Sequence, residues 1–490
     1  MPEGYCVKCK AKKEIADAVE EVMKNGRKAI KGRCPTCGVV MFKILGGKAS
    51  LPPAAAALPR RRLPQPLSLH LRLPRPPLNP LPRPAKHRLQ PPRTLNLPLS
   101  MPEQLAYALI TPHSLHKSRT GGIIARLIAR TNVDLVAARM FAPGPELVRE
   151  YAEQVVSTHD PQDRRIQELI RDYVLAQFSP DPKSGRRRRV MLLLFKGEDA
   201  VRQVRSVVGS FSLHRRGGQT IRETYGDLIL DEQDNVRYFE PAVLAAPTPD
   251  EAVAKLRIWA KHSDADGGVL EDVVTYEPEE KPERTLVLLK PDNFRFASGR
   301  PGNMIDFFSR TGLFIVGIKL HQMSVAQAME FYGPVREILR TKLQDVVANR
   351  ARDILEKELG FRIPLSEQKK LGEVLGPVFG ENQFENIVRF MAGRSPSECD
   401  PSLMTSPGTE KCIALIYEGV NAVAKIRDVL GPTDPTKAPP GSIRREFGSN
   451  IMVNAAHASD SVENARREMR IVNVGENLFK RVVEGVLGKI

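Results

Sequence analysis

Cysteine is scarce, six in 490 residues. A chain of this length with so few does not read as a disulfide scaffold. Long apolar runs are also missing. None approaches the ~18 residues that a membrane-crossing helix needs, so no membrane span is expected. The start, Met1-Pro2-Glu3-Gly4-Tyr5-Cys6, lacks the apolar core of a secretory signal. These absences together lead us to expect a reducing, cytoplasmic compartment. Acid is absent from residues 51–102, where 9 Lys/Arg face no Asp or Glu, and residues 1–50 add 11 Lys/Arg against 5 Asp/Glu. The formal net charge is +17, so nearly all of it belongs to residues 1–102 and the rest of the chain is close to balanced. Attraction for nucleic acid or another anionic surface is therefore confined to that N-terminal part. The length suggests about three domains.

Four of the six cysteines are paired, as Cys6-Val7-Lys8-Cys9 and Cys34-Pro35-Thr36-Cys37-Gly38. Two such knuckles present four thiolates to one tetrahedral Zn2+, and the glycine relieves crowding at the second turn. Residues 1–48 are too few to bury a useful core, so metal held by Cys6, Cys9, Cys34 and Cys37 would supply most of the folding free energy. Four thiolates leave no open position, which makes the metal structural. The pattern resembles the small zinc ribbons attached to many microbial nucleic-acid enzymes. Lysines and arginines around it, among them Lys8, Lys12, Lys31 and Arg33, read either as phosphate contacts or as a solvated basic face. Residues 49–103 are rich in proline, leucine and arginine, as in Leu73-Pro74-Arg75-Pro76-Pro77. Proline at this density excludes helix and central strand, and without acid there is no internal charge pairing. An extended, disordered tether of polyproline character is expected there.

Beyond it the chain repeats itself. A strand-like run at 105–110 ends at Thr111-Pro112, and a helix over 121–128 and a strand over 133–138 follow. The same succession recurs at 285–290, ending at Lys290-Pro291-Asp292, then at 302–308 and 313–318. Leu192-Leu193-Leu194-Phe195-Lys196-Gly197 parallels Ala414-Leu415-Ile416-Tyr417-Glu418-Gly419. Thr220-Ile221-Arg222-Glu223 parallels Ser442-Ile443-Arg444-Arg445. The spacing predicts a tandem repeat of one α+β unit built of paired βαβ-type elements, over 104–262 and 283–490. Residues 264–281, acidic and turn-rich, read as the junction.

The second copy holds a stretch with chemical promise, Asn454-Ala455-Ala456-His457-Ala458-Ser459-Asp460-Ser461. Small neighbours leave space at the imidazole. Ser461 is placed to cap a helix that carries acid early and base later, as the helix dipole prefers. A histidine beside a helix N-terminus and near cations suits a phosphate as its partner.

In these motifs residues 283–490 resemble nucleoside diphosphate kinase. The residues that carry the resemblance are Asn454, His457, Ala458-Ser459-Asp460-Ser461, Glu468, Lys290-Pro291-Asp292, Glu418-Gly419, Arg427, Thr433, Arg444 and Tyr332. The resemblance implies a ferredoxin-like (βαββαβ) fold, usually in a homo-oligomer. It also implies ping-pong transfer of the terminal phosphate of a nucleoside triphosphate to a nucleoside diphosphate through phosphohistidine. His457 would be the nucleophile and Glu468 its orienting partner. Lys290, Arg427, Arg444, Thr433, Asn454, Tyr332 and Ser459 would meet the nucleotide or its phosphates, and Mg2+ would arrive with them. The sequence departs from the family in three places. Ala458 replaces a glycine, Gln383-Phe384 replaces an aromatic pair at the base cleft, and 346–381 is an insertion containing a helical run.

In the first copy Thr111 stands where Lys290 does, Leu244 where His457 does, and Lys255 where Glu468 does. No histidine occurs from Arg215 to Lys261. This copy should therefore have the fold without the transfer chemistry: either Arg205 and Arg222, which match Arg427 and Arg444, let it bind a nucleotide without turnover, or it serves as a subunit-like partner, the reading preferred. The rival functions are a nucleic-acid-associated protein that uses the fold as scaffold, through residues 1–102, and protein histidine phosphotransfer through His457.

Overall fold

In the computed structural model, residues 2–6, 8, 9, 11–22, 27–48, 103–158, 160, 162–211 and 218–490 are described. The tether expected at 49–103 lies outside them apart from Glu103. The chain divides into two compact units between Arg93 and Thr94.

The N-terminal unit is built of strands. β1 (Glu3–Cys6) pairs antiparallel with β2 (Ala11–Glu14). β3 (Ala16–Val22), β4 (Arg27–Arg33) and β5 (Val40–Lys48) form a three-stranded antiparallel sheet. Its buried core is Ile15, Cys34 and Met41. So small an apolar core is a marginal source of stability.

The second unit begins with β6 (Glu103–Ile110), α1 (Pro112–His116), α2 (Thr120–Arg130) and β7 (Asp134–Phe141). It continues through α3 (Pro145–Glu153), α4 (Arg164–Gln177), β8 (Val190–Glu198), α5 (Ala200–Val208) and α6 (Ile221–Tyr225). A hairpin of β9 (Asp227–Leu230) and β10 (Val236–Glu240) follows, then β11 (Val243–Leu244), α7 (Pro249–Lys261) and α8 (Ser263–Asp266). The sheet runs β11-β6-β8-β7. β6 and β8 are central, and residues 106–110 pair with 191–195 in a run that is buried and hydrophobic throughout, as strands covered on both faces must be.

A second set of elements then runs β12 (Pro282–Leu289), α9 (Arg300–Ser309), β13 (Phe314–His321), α10 (Val325–Lys342), α11 (Gln344–Leu359), α12 (Leu365–Ala392) and β14 (Cys412–Val420). It closes with α13 (Ala422–Leu430), α14 (Ile443–Phe447), β15 (Ala456–Ala458), α15 (Val462–Val472) and α16 (Leu478–Leu487). Its sheet runs β13-β14-β12-β15. Read from the short last strand inward, the order is that of the first sheet. Even the irregularity recurs, with a register shift at Leu135/Ala137 in β7 and at Ile315/Gly317 in β13.

The two sheets are joined by close backbone approaches. Helices α2 and α9 meet at Gly121 and Gly302, where an added Cβ on either would lie 2.2 Å from the other's carbonyl oxygen. The segment read as a junction is packed rather than loose. Asp266 accepts from the Gly144 amide at 2.9 Å and pairs with Arg187 at 2.8 Å, and Leu270 donates its amide to the Val316 carbonyl at 2.8 Å. Turn-rich composition signals the bends of such a segment but not its burial.

The insertion is helical, as its run suggested. α11 packs on α12, whose Gly372, Gly376 and Gly380 face Gln344 and Arg340 at distances a side chain would obstruct. No helix among the described residues is long and apolar enough to cross a membrane.

Candidate active site

His457 is the middle residue of β15 and pairs with Leu288 of β12. Ala455, two residues earlier, has φ +71°. This left-handed conformation costs a residue with a Cβ roughly 1–2 kcal/mol. The bend aims the Ala455 carbonyl at two donors, the Lys290 amide at 2.9 Å and Asn293 Nδ2 at 2.7 Å. The loop after β12 and the strand bearing His457 are thereby fastened together.

The imidazole Nε2 lies 2.9 Å from Glu468 Oε2 on α15. Ser461 caps that helix by accepting from the Asn464 amide at 3.0 Å. Glu468 is buried, so its charge is an obligate acceptor. A carboxylate acceptor fixes the proton on Nε2 and leaves the lone pair on Nδ1. Phe331 stands edge-on to the imidazole at 4.9 Å between centroids, and Tyr332 at 6.2 Å. Arg467 donates to the carbonyls of Glu330 and Phe331 and so ties α15 to α10. The histidine side chain keeps 22% of its surface accessible while Glu468 behind it keeps 6%. Reagents can reach the ring but not its support.

Cations gather beside it. Lys290 is buried, and its Nζ donates to Asn454 Oδ1 at 2.7 Å and to the Met452 carbonyl at 3.2 Å. Burial, and after it the charge of Arg444, push its pKa down to about 8, against the pull of Asp292. Arg444 donates to the carbonyls of Gly431 at 3.0 Å and Ala456 at 3.2 Å, and its buried Nε has no partner. Burial and then Arg427 lower its pKa to about 10, which keeps it charged. Arg427, on α13, is exposed, as is Thr433. The Tyr332 hydroxyl is buried without a hydrogen-bond partner, and burial raises its pKa. Three mutually repelling cations, with donors still uncommitted, form a place for a polyanion.

Several expectations need correction. Ser459, expected at the nucleotide, is fully buried and donates its hydroxyl to Glu468 Oε2 at 2.6 Å. It braces the carboxylate and cannot reach a phosphate. Asn454 is also spent. It accepts from Lys290 and donates to the Thr433 and Ile451 carbonyls at 3.0 and 2.8 Å. It positions the lysine rather than touching sugar. Phe384, of the Gln383-Phe384 pair that departs from the family's aromatic pair, is a core residue under the Arg336 guanidinium, 5.2 Å from ring centroid to cation. Sequence reasoning missed Phe331, Arg467 and Asn293. The position of Asn293 directly after Lys290-Pro291-Asp292 was the one available signal.

In the N-terminal unit the sulfur atoms of Cys9, Cys34 and Cys37 all lie within 4.8 Å of one another. The Gly38 amide donates to the Cys34 carbonyl at 2.9 Å, with Gly38 at φ +71°, closing the second knuckle. The side chain of Cys6 lies outside the described residues. Three converging thiols in a shell this small suit a thiophilic cation.

The sequence profile described as "Nucleoside diphosphate kinase" matches residues 384–477, and one described as "Domain of unknown function (DUF5679)" matches residues 5–44. A nucleoside diphosphate kinase from Wolinella succinogenes is 31% identical over 196 residues, 40% of this chain and 98% of that protein. One from Staphylothermus marinus is 30% identical over 190 residues, 39% of this chain and 92% of that protein. A crystal structure of an NDP kinase from Pyrobaculum aerophilum is 27% identical, covers 39% of this chain and 95% of that one, and has a TM-score of 0.28. A relative matched over almost its whole length joins the buried carboxylate, the half-open histidine and the clustered cations in one conclusion: through its C-terminal part, the chain belongs to the nucleoside diphosphate kinase family.

Proposed function

We propose that this protein is a nucleoside diphosphate kinase whose C-terminal half works by ping-pong transfer through His457. The observation that carries this reading is the His457–Glu468 bond, which commits Nε2 and leaves Nδ1 free to react. In the first half-reaction the Nδ1 lone pair bonds to the terminal phosphorus of a magnesium-bound nucleoside triphosphate. The bond from that phosphorus to the bridging oxygen breaks, and the diphosphate leaves with the electron pair. In the second half-reaction a terminal oxygen of another diphosphate attacks the same phosphorus and the P–N bond breaks.

Phosphoryl transfer asks a protein for positioning and charge compensation. Glu468 stabilises the positive ring as the P–N bond forms, the service a carboxylate gives other catalytic histidines. Lys290, Arg427 and Arg444 neutralise the bridging and equatorial oxygens. Tyr332 and Thr433 offer hydroxyl donors, while Asn454 and Ser459 hold Lys290 and Glu468 in place. The magnesium belongs to the substrate, because Glu468 is already occupied by His457, Ser459 and Arg467. Initial rates with two varied nucleotides should give parallel double-reciprocal lines. Intersecting lines would require both nucleotides to be bound at once and would sink the mechanism.

The first half reads as a degenerate copy of the second. Support comes from the shared strand order and from register: Leu109 pairs with Leu244 as Leu288 pairs with His457. Lys255 then falls at the place of Glu468, eleven residues on. This half lacks the nucleophile and serves as a built-in subunit, in contact through α2 and α9. Further assembly into a homo-oligomer is the family expectation, as is a cytoplasmic setting.

The N-terminal unit is proposed as a structural zinc ribbon that, with the basic residues up to 102, contacts nucleic acid. Purified protein should carry one zinc per chain, lost in Cys34→Ser. Deleting residues 1–102 should abolish salt-dependent RNA or DNA binding without slowing exchange. Metal-free wild-type protein, or no binding at low salt, would refute the respective part.

A further inference from the structure

Residue by residue, the first half keeps the anion-binding frame of the second. Thr111 donates its amide to the Ala242 carbonyl at 3.2 Å, as Lys290 does to Ala455 at 2.9 Å. Ala242 and Ala455 share a left-handed backbone, at φ +57° and +71°. Arg222 donates to the carbonyls of Gly209 at 2.8 Å and Val243 at 3.2 Å, which repeats the grip of Arg444 on Gly431 and Ala456. In both arginines the Nε is buried and unpartnered. Arg205 stands four residues before Gly209 on α5, and Arg427 four before Gly431 on α13.

The halves differ in what faces these arginines. Arg427 is exposed, and no carboxylate among the described residues pairs with it. Over Arg205 and Arg222 the chain lays a side-chain anion of its own. The Asp160 side chain, 4% exposed, lies 3.4 Å from Arg205 Nη2. Its Oδ1 accepts from the Gln162 amide at 2.9 Å and its Oδ2 from Gln162 Nε2 at 3.1 Å. Gln162 Oε1 in turn accepts from Arg222 Nη1 at 3.3 Å, and the Phe211 ring lies 4.5 Å from the same guanidinium. Burial, with Arg205 after it, lowers the pKa of Arg222 to about 9, and Asp160 opposes the fall. The carboxylate thus does electrostatically what a bound phosphate would do.

We infer that the first half closes its own anion site with Asp160, so that each chain takes one nucleotide, at His457, and not two. This rests on reading the halves as copies and the second as the nucleotide-binding one. It makes the first half a self-liganded lobe that cannot draw nucleotide from the catalytic half. To displace Asp160, a phosphate would have to leave a buried carboxylate unpaired.

The test is equilibrium dialysis of the full chain against magnesium-ADP. Wild type should bind one ADP per chain, and Asp160→Ala two, with exchange at His457 unchanged as the control for folding. Asp160→Asn keeps the volume and removes the charge, and it should also admit a second ADP if the alanine variant does not fold. Two ADP bound by wild type, or one bound by a folded variant, overturns the inference. No ADP bound by wild type overturns the functional reading with it.

Discussion

Replacing His457 with alanine should lower nucleoside diphosphate kinase activity by about 10⁴–10⁶-fold, the usual loss when the nucleophile of a covalent mechanism is removed. The ring combines an orienting carboxylate, partial exposure and adjoining cations. The acid-labile phosphoprotein formed on incubation with ATP should vanish in the same variant. Stability should change little, because the side chain is only partly buried and Ala458 and Ala456 supply the packing of β15. Undiminished exchange by the variant would remove His457 from the mechanism.

The second large effect concerns Lys290. Its buried ammonium is held near a pKa of about 8. As pH rises through 8 the free enzyme loses this charge, so kcat/KM for the triphosphate should fall about tenfold per unit above it. Bound phosphate favours the protonated form, so kcat should hold to higher pH. The sign for stability is opposite. A lysine whose folded pKa is depressed destabilises the fold when protonated. The penalty is full below about pH 8 and is relieved between there and the ordinary lysine value. The nucleotide-free protein should therefore gain stability over that window. Lys290→Met should reduce kcat by about 10²–10³-fold, the scale for losing one preorganised donor, and should abolish the alkaline fall of kcat/KM. A variant that keeps the alkaline limb would show that another group titrates there.

The parallel runs of the two halves were legible in the sequence, whereas the pairing of His457 with Glu468 was implied by the family resemblance. Strand alternation and the fixed 11-residue step from His457 to Glu468 are local, and so is the same step from Leu244 to Lys255. The register of the short strands, Leu109 with Leu244 and Leu288 with His457, reproduces that correspondence. Destinations of polar side chains are set by tertiary approach and were not legible. Asn454 finds Lys290 across 164 positions. Asp160 meets Arg205 from 45 residues off, on a loop with no pattern to announce it. Composition misled over 264–281, where bends and acid conceal buried contacts made by Asp266 and Leu270.

The direct test of the histidine's orientation is to locate the phosphorus on the ring. Protein labelled with ¹⁵N-histidine and phosphorylated with ATP should show phosphorus–nitrogen coupling to Nδ1 of His457, with Nε2 still protonated against Glu468. Phosphate on Nε2, or on a residue other than His457, would contradict the assignment.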